Sequence, residues 1–244
     1  MSAFVTGASR GIGLALVQGL LRQGRRVVAA QRGQSQALQA LHQEYPERLL
    51  PVKLDLTDEA SIKSAAAEAE TFAGDVQLLV HNAGIMHPSG RGENSVSRLE
   101  FNAFSQVLAT NVLGPAMLTK ALYPRLRAAA ATEPSKVVAV GAGVASLQGN
   151  QAGGWYSYRA SKTAMNAFMK NLSIEGARHK VMAFTLYPQM VDTALAKPYV
   201  KGNPYPELRT PEETAERMLE LLQSFGPADT GRFVNIWSKE DIPW

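Results

Sequence analysis

The chain predicts a doubly wound α/β domain, with a seven-stranded parallel sheet and helices on both faces. Short β-branched runs alternate with longer helical patterns along all 244 residues. Several of those runs, such as Leu78-Leu79-Val80 and Val137-Val138-Ala139-Val140, are apolar at every position rather than at alternate ones. Strands apolar on both sides suit a parallel sheet covered by helices on both faces. No repeat, low-complexity tract or linker interrupts the alternation, so residues 1–244 read as one domain.

In chain order, the strand candidates are Ala3–Thr6, Arg26–Gln31, Leu49–Leu54, Val76–His81, Lys136–Val140, Val181–Tyr187 and Arg232–Trp237. Between them lie helical patterns at Ile12–Gln23, Ser35–Glu44, Asp58–Phe72, Leu99–Ala130, Ser157–Ala177 and Pro211–Gln223. The Leu/Ala stripe of the first helix, and Met165 and Met169 in the fifth, are ordinary core positions. Right-handed crossovers place every strand-to-helix turn on one edge of the sheet, where such sheets bind ligands. Two irregular stretches leave that edge. Ile85–Ser97, rich in Gly, Ser and Pro, reads equally as a pocket wall or a surface loop. Ala194–Pro206 carries Pro198, Gly202, Pro204 and Pro206 with Tyr199 and Tyr205 among them, and predicts a substrate loop near 194–206.

Composition excludes several kinds of chemistry. The chain is 45% hydrophobic and 19% charged, and has no Cys. Disulfides, thiol catalysis and Cys-ligated metals are therefore absent. Its four His (His42, His81, His87, His179) match no metal-ligand spacing, so no metal site is expected. His81 reads as a core residue. A net charge of +4 allows an anionic partner, from a nucleotide to nucleic acid. Nucleic acid is set aside, because no groove-reading motif or aromatic–basic interleaving is present. No apolar run approaches the roughly 18 residues that cross a bilayer. The N-terminal stretch also lacks the basic segment of a signal peptide. A soluble, cytoplasmic protein without a membrane partner is the expectation.

The first turn reads Thr6-Gly7-Ala8-Ser9-Arg10-Gly11-Ile12-Gly13, between a strand and an apolar helix. Gly7 permits a tight turn, Gly11 lets backbone amides approach a pyrophosphate, and Gly13 allows close helix–strand packing. A phosphate there would meet the positive end of the helix that starts near Ile12. Further motifs follow in order: Asp55-Leu56 after the third strand, Asn82-Ala83-Gly84 after the fourth, and Asn111 in the long fourth helix. Tyr158 and Lys162 then form Tyr-x-x-x-Lys, and Pro188–Thr193 follows the sixth strand.

With the Gly-x-x-x-Gly-x-Gly turn, these motifs resemble the short-chain dehydrogenase/reductase family over nearly the whole chain. The stretch from Gln148-Gly149-Asn150 to Tyr158-Arg159-Ala160-Ser161-Lys162 looks most like its carbonyl-reductase and C-factor-like branch. The resemblance implies a Rossmann fold and a nicotinamide cofactor held by Gly7, Ser9, Arg10, Gly11, Ile12, Gly13, Arg32, Asp55, Leu56, Asn82, Ala83, Gly84, Tyr158, Lys162, Pro188, Val191 and Thr193. Asp55-Leu56 would contact the adenine, Lys162 the nicotinamide ribose, and Val191 and Thr193 the carboxamide. It also implies a small carbonyl or alcohol substrate and a homodimer or homotetramer, although the branch includes monomers.

Charge argues for the cofactor. NAD enzymes of this type carry an acidic residue near the end of the second strand, to accept from the ribose 2′-hydroxyl. This chain has Gln31-Arg32 there, with Arg10 in the glycine turn. Guanidinium groups suit a 2′-phosphate, so NADP (NADPH) is expected over NAD.

Tyr158 and Lys162 stand four residues apart on a helix and share a face. A nearby ammonium lowers a phenol's pKa, so Tyr158 can act as general acid in carbonyl reduction and as base in the reverse direction. Pro115 has no N–H to offer the Asn111 carbonyl, so a kink is expected there. The resemblance implies that Asn111 holds a water in a proton relay to Lys162. The family's fourth catalytic group is a Ser after the fifth strand, a position that holds Ala142 in Gly141-Ala142-Gly143. Ser146 is the candidate catalytic replacement, and Gln148, Asn150 and Gln189 are other possible donors. Gln189 also stands where relatives often have Gly, which re-lines the pocket. The leading expectation is an NADP(H)-dependent oxidoreductase that interconverts a carbonyl and an alcohol. The alternative is an NADP(H)-binding redox sensor or regulator with weak or no catalysis.

Overall fold

The computed structural model describes residues 1–90, 92–200 and 208–244. Its first half consists of β1 (Ser2–Thr6), α1 (Gly11–Arg22), β2 (Arg26–Gln31), α2 (Gln36–Glu44) and β3 (Leu49–Lys53). Helix α3 (Glu59–Ala73) leads to β4 (Leu78–His81), α4 (Phe101–Leu108), a π-helical turn (Ala109–Leu113) and α5 (Gly114–Ala129). Then come β5 (Ser135–Val140), α6 (Tyr156–Ala177), β6 (Val181–Tyr187), a short α7 (Lys197–Val200), α8 (Pro211–Ser224) and β7 (Phe233–Asn235). The seven strands pair in parallel in the order β3-β2-β1-β4-β5-β6-β7. This is the doubly wound Rossmann architecture, with the order reversing between β1 and β4.

Strand periodicity divides the interior into two cores, because successive side chains point to opposite faces. Ala3, Val5, Val27, Ala29, Met182, Phe184 and Leu186 pack under α1, α2 and α8. Phe4, Val28, Ala30, Val137, Ala139, Val181 and Ala183 pack under α3, α5 and α6. The uninterrupted apolar runs of the sequence are the consequence, since both sides of each central strand are buried.

The long helix expected over Leu99–Ala130 is divided into α4, the π turn and α5. At the turn the Gly114 N–H bonds back to the Ala109 carbonyl, and Pro115 follows at the start of α5. The missing proline donor is thus absorbed by a wider turn rather than by a break. Strand β7 is shorter than the expected Arg232–Trp237, because the Asn235 side chain accepts from Trp237 N–H at 3.0 Å and turns the chain.

Candidate active site

The glycine turn leaves β1 at the point where the strand order reverses. Gly7 and Gly11 are left-handed, with φ of 66° and 55°. A methyl group on Gly13 would lie 2.2 Å from the Gly7 carbonyl oxygen and 2.5 Å from Asn82 Nδ2, so only glycine fits. Asn82 Nδ2 donates to the carbonyls of Thr6 and Gly7, at 3.0 and 3.1 Å. Thr6 Oγ1 in turn accepts from the backbone N–H groups of Asn82 and Ala83. The end of β4 therefore clamps the turn that follows β1. The N-terminus of α1 opens directly beyond it and offers unpaired amides to an anion.

Ala8 N–H bonds to the Ala30 carbonyl at 3.0 Å, and Ser35 Oγ to the Ser9 carbonyl at 2.9 Å. These bonds stitch the turn to the end of β2 and bring Arg10 and Arg32 to one corner. Both arginines are exposed, and among the described residues neither is in an ion pair. Hydrogen bonds from Thr57, its hydroxyl foremost, hold the Asp55 carboxyl below the usual carboxylate range, with Arg32 adding to the effect. Leu56 is buried against α5, where a Gly114 methyl would meet its carbonyl oxygen at 2.2 Å. On the other side, Thr193 reaches the turn: its Cγ2 lies 3.3 Å from where a Gly11 Cβ would be. Val191 pairs with Arg209 in an isolated bridge, and the Pro188 carbonyl accepts from Trp237 Nε1 at 2.9 Å.

Tyr158 and Lys162 sit in the first two turns of α6, and both are buried. Lys162 Nζ is 5.7 Å from the Tyr158 ring centroid and donates to the Val140 carbonyl at 2.8 Å. Burial draws the Lys162 ammonium down to about 8. Asn111 lies in the π turn and is buried. Its Nδ2 donates to the Ile85 carbonyl and to Ser161 Oγ, and its Oδ1 accepts from Ile85 N–H. Gly84 joins the groups, since a methyl on it would stand 3.4 Å from Asn111 Oδ1 and 3.6 Å from Lys162 Nζ.

The other proposed donors are placed differently. Ser146 Oγ is buried and accepts from Gly149 N–H at 2.9 Å, inside its own loop. Asn150 is exposed, and its Oδ1 accepts from Gly153 N–H. Gln148 is exposed. Gln189 is exposed too and holds a left-handed φ of 62°, the conformation a glycine takes without strain. Of the expected substrate loop near 194–206, residues 201–206 lie outside the described residues.

Four supporting residues escaped sequence reasoning. Glu93, in the Ile85–Ser97 stretch, is buried; its carboxylate accepts from Ser157 N–H at 3.2 Å and its carbonyl from Trp155 N–H at 2.6 Å. It thereby caps the helix that bears Tyr158. Arg159 and Thr163 donate to the carbonyls of Val144 and Ala145, which fastens the loop after β5 to α6. The fourth is Tyr187, at the end of β6. Its hydroxyl lies 3.2 Å from where a Gly143 Cβ would stand. Only its period-two spacing from Val181 and Ala183 signals the side it faces. His81 is a core residue: its Nε2 meets Thr119 Oγ1 at 2.7 Å, and burial takes it down to about 3.

Among the described residues, no helix is long and apolar enough to cross a membrane. In sequence, the chain is 30% identical over 243 residues to an oxidoreductase of Schizosaccharomyces pombe, covering 94% of this chain and 93% of that one. In structure it is similar to an NADPH-bound carbonyl reductase from chicken fatty liver. The TM-score is 0.87 at 32% identity, over 100% of this chain and 94% of that one. It is also similar to the carbonyl reductase Sniffer of Drosophila melanogaster, with a TM-score of 0.88 at 26% identity, over 100% and 99% of the two chains. The short chain dehydrogenase family profile matches residues 1–204, and with the glycine turn, Asn82, Asn111, Tyr158 and Lys162 assembled at one sheet edge, the chain belongs to that family of oxidoreductases.

Proposed function

We propose that the protein is an NADP(H)-dependent oxidoreductase that interconverts a small carbonyl compound and its alcohol, with Tyr158 as general acid and base. The observation that carries this reading is the joint burial of Tyr158, Lys162 and Asn111 at the sheet edge that also carries the glycine turn, in which Gly13 has no room for a side chain. That turn and the N-terminus of α1 fit a pyrophosphate, and Arg10 and Arg32 fit a 2′-phosphate. Asp55 and Leu56 would flank the adenine, while Ala83, Gly84, Pro188, Val191 and Thr193 would line the nicotinamide end. When bound, the cofactor supplies or accepts the hydride.

The protein supplies the proton and the positioning. Tyr158 gives its phenolic proton to the carbonyl oxygen in reduction and takes it back in oxidation. The Lys162 ammonium favours the phenolate that results, and its approach to the Val140 carbonyl fixes where that charge sits. Asn111, locked by Ile85 and Ser161, holds the π turn against Gly84, which suits a relay that resupplies the proton. Much of the rate enhancement on this reading comes from orientation in a site that excludes water.

A second reading is a protein that binds NADP(H) and catalyses weakly or not at all. It is favoured by Gly141-Ala142-Gly143, which has no hydroxyl where relatives carry Ser. Purified protein incubated with NADPH and a panel of aldehydes, ketones and diketones separates the two. Loss of absorbance at the NADPH band, reduced at least about 100-fold by Tyr158→Phe with NADPH affinity retained, is the expected result. Turnover unchanged in Tyr158→Phe would overturn the mechanism.

A further inference from the structure

The glycines on either side of Ala142 make room for something. A methyl group on Gly141 would lie 2.5 Å from Thr185 Cγ2 and 3.1 Å from the Phe233 ring. A methyl on Gly143 would lie 3.1 to 3.2 Å from Cζ, Cε1 and Oη of Tyr187. Side chains of β6 and β7 therefore occupy the space that larger residues after β5 would need. The Gly-Ala-Gly stretch gives up its own hydroxyl and admits a phenol from the neighbouring strand.

Strand periodicity sets the direction of that phenol. Val181 and Ala183 belong to the core beneath α6, and Tyr187 continues their alternation, so it lies on the face covered by the helix that carries Tyr158 and Lys162. Adjacent Leu186 belongs to the opposite core. Backbone bonds fix the position: Gly141 N–H donates to the Leu186 carbonyl at 2.8 Å, and Ile236 N–H to the Tyr187 carbonyl at 3.1 Å. Tyr187 is only half-buried, at the C-terminal edge of the sheet. Lys162 Nζ reaches the Val140 carbonyl one residue before Gly141, so the ends of both side chains meet the same short stretch of β5 and its loop.

We infer that Tyr187 is a second catalytic phenol: it donates a hydrogen bond to the substrate's carbonyl oxygen, in place of the hydroxyl that Ala142 lacks. The inference rests on the carbonyl-reductase reading above. The two tyrosines divide the work. Tyr158 transfers its proton and Tyr187 keeps its own, so the product alcohol carries the Tyr158 proton and the balance of the reduction is unchanged. Charge growing on the carbonyl oxygen strengthens the Tyr187 bond, which acts on kcat more than on KM. A phenol reaches farther than a serine hydroxyl, and the aryl ring replaces open volume beside Gly143. The substrate class that fits is a slim carbonyl compound rather than one branched on the side of this ring.

Tyr187→Phe removes one oxygen and keeps the ring. The expected result is a 10- to 1000-fold loss in kcat with NADPH affinity, measured by fluorescence quenching, unchanged. Adding Ala142→Ser to Tyr187→Phe is expected to restore at least tenfold of that loss. Gly143→Ala, which presses on the phenol, should lower kcat while NADPH affinity holds. An active wild type whose kcat is unaltered by Tyr187→Phe overturns the donor role and leaves the oxidoreductase reading standing. A wild type without turnover that becomes active on Ala142→Ser alone overturns both.

Discussion

Lys162 is a buried cation whose hydrogen-bond acceptor is a carbonyl, and among the described residues no carboxylate forms an ion pair with it. Its fall from 10.5 to about 8 amounts to roughly 3 kcal/mol against the charged form. Below pH 8 both folded and unfolded chains carry the proton, and the full penalty is present. Between about 8 and 10.5 the folded chain has released a proton that the unfolded chain keeps, so stability rises with pH across that window. Lys162→Met is therefore expected to stabilise the cofactor-free protein by about 2–3 kcal/mol at pH 7, less what the Val140 hydrogen bond contributes. The advantage should shrink towards pH 10.5, while turnover is lost. Urea unfolding at pH 7, 9 and 10.5 measures this, and a difference that does not change with pH would refute it. The four-residue spacing of Tyr158 and Lys162 was readable from the chain. The burial was not, because it depends on β5 and on residues near Gly84 that are remote in sequence.

At the level of elements, the strands and helices followed from apolar periodicity, since each central strand is buried on both sides. What escaped were features set by contacts between elements. Pro115 indicates a missing donor, yet whether the helix ends, bends or widens into a π turn depends on the bonds of Asn111 to Ile85 and Ser161. Glu93 could not be matched to the N-terminus of α6 from composition, because the cap comes from a loop far away in the chain. Ser146 Oγ accepts from Gly149 N–H within its own loop and Gln148 is exposed, placements that separation in sequence from Ala142 or Tyr158 does not reveal. The glycine turn allows a test at this scale. A Gly13 methyl would collide with the fixed backbone of Gly7, whereas a Gly19 methyl would meet only the end of Leu219, at 2.6 Å. Gly13→Ala should cost about 2–4 kcal/mol and abolish NADPH binding. Gly19→Ala should stay within roughly 1 kcal/mol of the wild type, because its added helix propensity offsets the shift of one flexible side chain. Equal destabilisation of the two variants would show that the close approach of α1 to β1 is not the constraint.

Across the whole molecule, the strand order reverses between β1 and β4, the point where sheets of this kind bind ligands, and every motif of the proposed site comes from a strand end or a following element at that edge. The net charge of +4 is spread over the chain, but Arg10 and Arg32 are brought to one corner by the Ala8–Ala30 and Ser35–Ser9 bonds. A ligand that binds only the folded chain adds RT ln(1 + [L]/Kd), or about 2.7 kcal/mol at a hundredfold excess over Kd. For a protein of this size that is a rise of about 5–11 °C in Tm. NADPH should therefore raise Tm more than NADH at equal concentration, and the excess should fall with added salt as the 2′-phosphate is screened. Arg32→Asp places a negative charge in that corner and should remove most of the NADPH excess while leaving the NADH shift close to its original value. Thermal melts of both proteins with each nucleotide at low and high salt read this directly. Equal shifts by the two nucleotides in the wild type would refute the preference for the 2′-phosphate, and equal losses of both in Arg32→Asp would place the discriminating charge elsewhere than Arg32, because the adenine, pyrophosphate and nicotinamide contacts are common to the two ligands.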